Sequence, residues 1–419
     1  MTTHFLRTTA LATLVAGLPL AALAQEPVTL RMALWTGNEA HLALFNEIAA
    51  GFAETHPGVT VTYDTLPFAE YTTTLTTQIA GGNAPDMAWI FESSAYDFVK
   101  SGALYPLTDT LKATEGYDLE DFSPTIFERW SQDGEIFAYP FSNSPFAIFV
   151  NNDLIRAAGD ETPAELMAKG EWTWDNAIKL AADVSATGKA GLVLRDFNFQ
   201  RWEIAASIWN AWGAEPWSAD GKTCELDSPE MVEAMSFIHD AVFTSHAMPE
   251  PGENVDFFAG DAAMTISQIS RASLLPTEGG FDWDLLPMPA GKVGEYALLG
   301  QAGVGVLKAS KHAEVAAEFI AYMTNPENSA KLGQFFPSGR NSLLNAEVLK
   351  TTNPRLSVDQ IENVVVKGIQ TGAVVPGHTG FAQIQQTVRA GLDAMWLADA
   401  DVAGTLTRVC GQIAPMLKR

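Results

Sequence analysis

The chain has 419 residues, 47% of them hydrophobic, and its 25 lysines and arginines stand against 50 aspartates and glutamates for a formal charge of −25. That length is enough for two domains with full cores. The acidity is spread without a long run of like charge, which favours solubility and excludes phosphate backbones and anionic membranes as general partners.

The first 24 residues read as a secretory leader. His4 and Arg7 make a short polar start, residues 8–22 are apolar or small, and Ala22-Leu23-Ala24 offers a signal peptidase its small residues before Gln25. The stretch is too short for a membrane span, and Gly17 and Pro19 interrupt it as a helix. A cleaved leader predicts a periplasmic protein, away from ATP and NADH. No cysteine stands near the cleavage site, so no lipid anchor is expected. Cys224 and Cys410 meet an oxidising compartment and form a candidate disulfide; two buried thiols are the alternative.

Strands and helices then alternate. Val28–Leu34 alternates like a strand, and residues 40–54 place Leu44, Ile48 and Phe52 four apart on one helical face. Pro57-Gly58 stops that helix, and Val59, Val61 and Tyr63 alternate on a second strand. Residues 71–80 predict a helix ending at Gly81-Gly82, and Met87–Phe91 a buried strand. Further strands are expected at 146–150, 191–194 and 303–307, and helices at 173–185, 203–212, 313–324, 359–372 and 381–398. This alternation argues for an α/β fold of mostly parallel sheets flanked by helices. A long chain of this kind lacking a linker suggests two lobes crossed several times by the backbone.

Five segments in this order resemble the periplasmic sugar-binding proteins of ABC importers, the family that includes maltose-binding protein. They are AGGNAPDMAW from Ala80, YPFSNSPFAIFVNNDLIRAAG from Tyr139, WTWDNAIKLAA from Trp172, FFAGDAAM from Phe257, and GQAGVGVLKASKHAEVAAEFIAYMT from Gly300. The resemblance implies a two-lobed periplasmic binding protein fold, its lobes joined by crossing strands and closing on ligand by hinge motion. Lobe one is expected at 25–138 plus 289–338, and lobe two at 139–288 plus 339–419. The implied partners are a small-molecule sugar and an inner-membrane ABC permease; a monomer without cofactor is expected.

Sugar capture asks for aromatic rings against the C–H face of a pyranose and polar side chains for its hydroxyls. Ligands of α/β sheets gather beyond the carboxyl ends of strands, which nominates Trp35, Asn38 and Glu39 after the first strand, and Phe91 and Glu92 after the third. Ser142 and Asn143 lie in the expected crossing. Phe197, Arg201 and Trp202 follow the strand ending at Leu194, whereas Trp209 and Trp212 read as core. Gly300-Gln301-Ala302-Gly303 permits close backbone approach, and Gln301 can donate and accept hydrogen bonds; the resemblance adds Gln268, Arg271 and His378. Arg201, Arg271 and Arg340 could converge on an anionic ligand such as glycerol phosphate.

Enzyme signatures are thin. No G-x-S-x-G, H-E-x-x-H or C-x-x-C occurs. His239 and His246 share a helical face without a third metal ligand. Asp282 and Asp284 on one strand face have a spacing compatible with a glycosidase pair, which makes a periplasmic glycoside hydrolase the second function class. The net acidity suggests a third, a polyamine-binding protein.

Overall fold

The computed structural model describes residues 27–122, 124–194, 199, 201–276 and 280–418, together with Met1. The expected leader and Phe197 lie outside these residues. Strand β1 (Val28–Leu34) is joined by β2 (Val59–Thr65) and β3 (Met87–Phe91). A short hairpin of β4 (Ser131–Gln132) and β5 (Glu135–Ile136) precedes the long β6 (Ala138–Asn151). There follow β7 (Ala190–Leu194), β8 (Ala262–Gln268), β9 (Trp283–Leu286), β10 (Leu298–Val306) and β11 (Ala373–Val374). The main sheet runs β2-β1-β3-β10-β6-β8-β7, with β11 beside β10 and β9 beside β6.

The outer strands are parallel. β1 pairs with β2 from Val28↔Val59 to Leu34↔Thr65 and with β3 at Met32↔Met87, and β7 pairs with β8 from Ala190↔Ala262. β6 and β10 run antiparallel to each other, β6 to β8 and β10 to β3, and together they hand the sheet from one half to the other. β6 pairs with β10 along its first part, up to Pro145, and with β8 from Phe146 onward. All 14 of its residues are buried. A third strand of chain passes alongside, where the Asn143 amide donates to the Pro337 carbonyl at 2.9 Å.

The cores follow this handover. One surrounds β1–β3 and takes in Ala138, Tyr139 and Phe141 of β6, Ala302, Val304 and Val306 of β10, and the helix Ala313–Met323. A second packs Phe146, Ile148 and Val150 of β6 against the helices Trp174–Ser185, Pro229–Phe243 and Val402–Ile413. The intervening Ala147 and Phe149 face a third cluster with Ile361, Val364 and Val365. Alternate residues of one strand therefore feed cores on both sheet faces, as expected where helices cover both.

Local chemistry sets the helix starts: Asn38 caps Glu39–Thr55, Thr173 caps Trp174–Ser185, and Ser228 caps Pro229–Phe243. The helix expected at 203–212 is instead a 3-10 turn, one α-turn and a second 3-10 turn. Its Trp202, Glu203, Ile204, Ile208, Trp209 and Trp212 are all buried, so packing on every side replaces the usual single apolar stripe. At 359–372 the α-helix widens into a π-turn over Ile361–Val366, which holds the β-branched Val364, Val365 and Val366. The last expected helix ends at Leu392.

Packing continues past each of the three expected lobe breaks: Tyr139 and Phe141 of β6 belong to the first core. Lys292 pairs with Glu233, the Val293 amide donates to the Ala211 carbonyl, and Leu298 belongs to the second core while Leu299 joins the third cluster. Arg340 bridges to Phe122 and still packs in the first core. Cys224 and Cys410 are bridged, with Cα atoms 5.6 Å apart.

Candidate functional site

The carboxyl ends of β1, β2 and β3 and those of β7 and β8 open on one cavity of about 340 Å³ between the two halves of the sheet. That is where α/β sheets collect ligands. Of the expected residues, Trp35, Asn38, Phe91, Glu92, Ser142, Arg201, Gln268, Arg271 and Gln301 line it.

One wall is aromatic. Trp35 stacks on Phe91 with ring centroids 4.2 Å apart, and Tyr71 and Trp89 meet it edge-on at 5.0 and 4.8 Å. Phe68, Trp89, Phe141 and Phe336 also line this wall, and sequence reading missed them. Phe68 could have been found: it follows the carboxyl end of β2 as Trp35 follows β1. His41, also missed, bonds Thr36 through Nδ1 at 2.9 Å and packs on Phe335 and Phe336. Burial lowers its pKa to about 4, so it is neutral near pH 7.

The opposite wall carries Gln268, Ser270, Arg271 and Ser273 after β8, with Arg201 after β7. Arg201 donates through Nε to Glu203 at 3.0 Å, and Gln385 donates to the same carboxylate oxygen at 3.1 Å. Across the gap Glu92 is 5% exposed. Burial raises its pKa; Arg201 and Arg129 act against that rise and Glu203 adds to it. The Arg129 guanidinium holds the Glu92 carbonyl at 2.9 Å.

The floor is a hydrogen-bonded network between β6, β10 and Trp130. The Trp130 indole donates to Gln301 Oε1 at 3.3 Å, and Gln301 Nε2 donates to Asn143 Oδ1 at 2.9 Å. Asn143 is fully buried and turns from the cavity to the Pro140 carbonyl. Gln301 thus lines the cleft with both ends of its amide engaged. Gly300 admits the Gln268 side chain, since an added Cβ would lie 2.0 Å from its Nε2.

Other expected residues sit elsewhere. Asn38 reaches the rim, yet its side-chain oxygen caps the amides of Ala40 and His41, and Glu39 is an exposed first-turn acid outside the lining. Trp202 is buried against Trp209 and Phe381. Arg340 lies in the first core, bonded to the Asp118 and Thr324 carbonyls. His378 faces a separate groove, bonding the Gly221 carbonyl at 2.9 Å and meeting Trp217 edge-on. Of the three arginines, Arg201 and Arg271 thus share one wall of the cavity, and Arg340 stands apart from them.

The aspartate pair is also displaced. Asp282 binds Arg156 at 2.7 Å and Asp284 accepts from Gln360 at 2.7 Å, both beside the far end of β6. His239 is buried and bonds the Leu397 carbonyl, and among the described residues no group of three His, Cys, Asp or Glu is placed to hold a metal. No helix among these residues is long and apolar enough to cross a membrane.

The sequence pattern of the bacterial extracellular solute-binding proteins matches residues 36–330. The chain belongs to this family. A Brucella abortus relative is 26% identical to this binding protein over 342 residues, 77% of this chain and 78% of that one. The sn-glycerol-3-phosphate-binding periplasmic protein of Escherichia coli is 26% identical over 276 residues, 60% of each. Among solved structures, the ABC substrate-binding protein of Listeria monocytogenes in complex with cycloalternan superposes with a TM-score of 0.80 at 22% identity, over 93% of this chain and 98% of that one. The two-lobed fold is thus shared at low identity, and the family implies a small-molecule ligand and an ABC permease.

Proposed function

We propose that this binding protein is exported to the periplasm by residues 1–24, holds a neutral carbohydrate in the cleft, and delivers it to an ABC importer without catalysis. The jaws are residues 27–141 with 301–340, and 146–299 with 344–418. The observation that carries the reading is the pairing of an aromatic wall, built on Trp35 and Phe91, with a wall of hydroxyls and an amide from Ser270, Ser273 and Gln268. Rings cover the apolar face of a sugar, and an unpaired hydroxyl in a dry cleft is costly, so the polar wall supplies selectivity. Contacts from both jaws favour the closed form by their differential affinity. The Listeria structure, with its cycloalternan, supports a carbohydrate.

The name of the Escherichia coli relative raises glycerol phosphate as the second ligand class. Arg201 is tied to Glu203 and Arg340 is sealed in a core, which favours the neutral ligand. Calorimetry on protein unfolded, stripped of ligand and refolded tests both. Binding of a mono- or oligosaccharide with no response to glycerol phosphate is expected; the reverse order overturns the carbohydrate. Trp35→Ala should weaken binding of that sugar by about 1 kcal/mol or more, and an unchanged affinity would remove Trp35 from the site.

A further inference from the structure

Large apolar side chains left exposed are few among the described residues, and two of them line the ligand cleft from opposite jaws. Phe68 is 43% exposed on the turn after β2, and Leu274 is 45% exposed on the turn after β8. Neither is a loose surface residue. The Phe68 ring meets Phe91 edge-on at 5.0 Å and Trp35 at 6.3 Å, which ties it to the aromatic wall. Leu274 is followed by Leu275, buried at 3% exposure. The Arg355 guanidinium donates to the carbonyls of Ala272, Leu275 and Pro276, and so clamps the backbone on both sides of Leu274.

Such support holds the Phe68 ring and the backbone that carries Leu274 in place before any ligand arrives, which lowers the cost of ordering them on binding. A hydroxyl lodged between them would lose water and gain no partner from either. An apolar group there would remove three hydrophobic surfaces from water at once.

We propose that Phe68 and Leu274 grip an apolar substituent on the ligand, so that the protein selects a carbohydrate carrying an aryl or alkyl group over the same free sugar. This rests on the carbohydrate reading above and narrows it. The inner cleft reads the sugar through its polar wall, and the lips read what the sugar carries outward.

The test is calorimetry with glucose, galactose, mannose, xylose, maltose, cellobiose and lactose, each paired with its para-nitrophenyl glycoside. For any sugar that binds, the glycoside should bind tighter by roughly tenfold. Phe68→Ala and Leu274→Ala should each shrink that ratio toward one. Both side chains are exposed, so the variants fold, and thermal melting verifies it. Equal affinity of sugar and glycoside for the wild type, or a ratio untouched by both substitutions, overturns the grip and leaves the carbohydrate reading standing. Silence from every sugar and every glycoside overturns the carbohydrate reading and the grip with it.

Discussion

Arg340 has no exposed surface, and its guanidinium lies over the rings of Tyr117 and Phe122 at 4.7 and 4.5 Å. It faces Asp121 at 3.6 Å, whose side chain is only 12% exposed. Replacing it with methionine leaves that carboxylate with no cation beside it, and breaking a buried pair in this way costs about 3–5 kcal/mol. Denaturant unfolding of Arg340→Met should show such a loss, while ligand affinity of the folded protein stays near that of the wild type. A large affinity loss without destabilisation would return Arg340 to the site. Glu92 makes a different demand. Buried between the jaws, its acid form is favoured, whereas an open cleft would hydrate it and restore an ordinary carboxylate. Closing on ligand should therefore take up a proton at pH values between the pKa values of the open and closed forms. Affinity should be highest below the ordinary carboxylate range and fall as pH rises through the raised value of the closed form. Calorimetry in buffers of unequal ionisation heat measures the uptake directly, and Glu92→Gln should abolish it. No uptake in the wild type would sink the idea.

At the scale of the element, β10 explains why a crossing strand carries so many glycines. The Trp130 ring packs over Gly303, where an added Cβ would come within 2.4 Å of ring carbon. That ring is rigid and its indole is already bonded to Gln301, so it cannot step aside as the Gln268 side chain beside Gly300 can. Gly303→Ala should therefore destabilise the hinge by about 1–3 kcal/mol, the usual cost of overpacking. Gly300→Ala should cost less stability and instead shift Gln268 within the cleft, visible as a changed affinity. Thermal melts of the two variants separate these outcomes; equal losses would mean that both glycines serve packing alone.

Over the whole molecule the Cys224–Cys410 bridge ties residues 186 apart within the second jaw. It joins the segment next to Trp217 to the helix Val402–Ile413, which bears part of that jaw's core. Closing so long a loop restricts the unfolded chain, so the double substitution Cys224→Ser with Cys410→Ser should lower unfolding free energy by about 3–5 kcal/mol in the chain-entropy model. Unfolding of oxidised wild type beside the variant measures it, and equal stabilities would show that the covalent link is dispensable.

Strand and helix periodicity, caps and stops were legible because they act between neighbours in sequence: Val28–Leu34, Met87–Phe91 and the Thr173-capped helix are placed as expected. So was the rule that carried Trp35 and Phe91 to the cleft, since a strand end announces itself locally. What sequence left open depends on partners distant along the chain. Phe336 and Phe141 reach the same wall as Trp35 only through the sheet order, and Arg340 is a core cation because Tyr117, Phe122 and Asp121 surround it. Glu203 and Glu92 stand on opposite jaws, and the charge of the one acts on the other only because β6 and β10 bring those jaws together. Periodicity belongs to the covalent chain; desolvation and charge pairing belong to the packed molecule, and they decided which polar residues were free to meet a ligand.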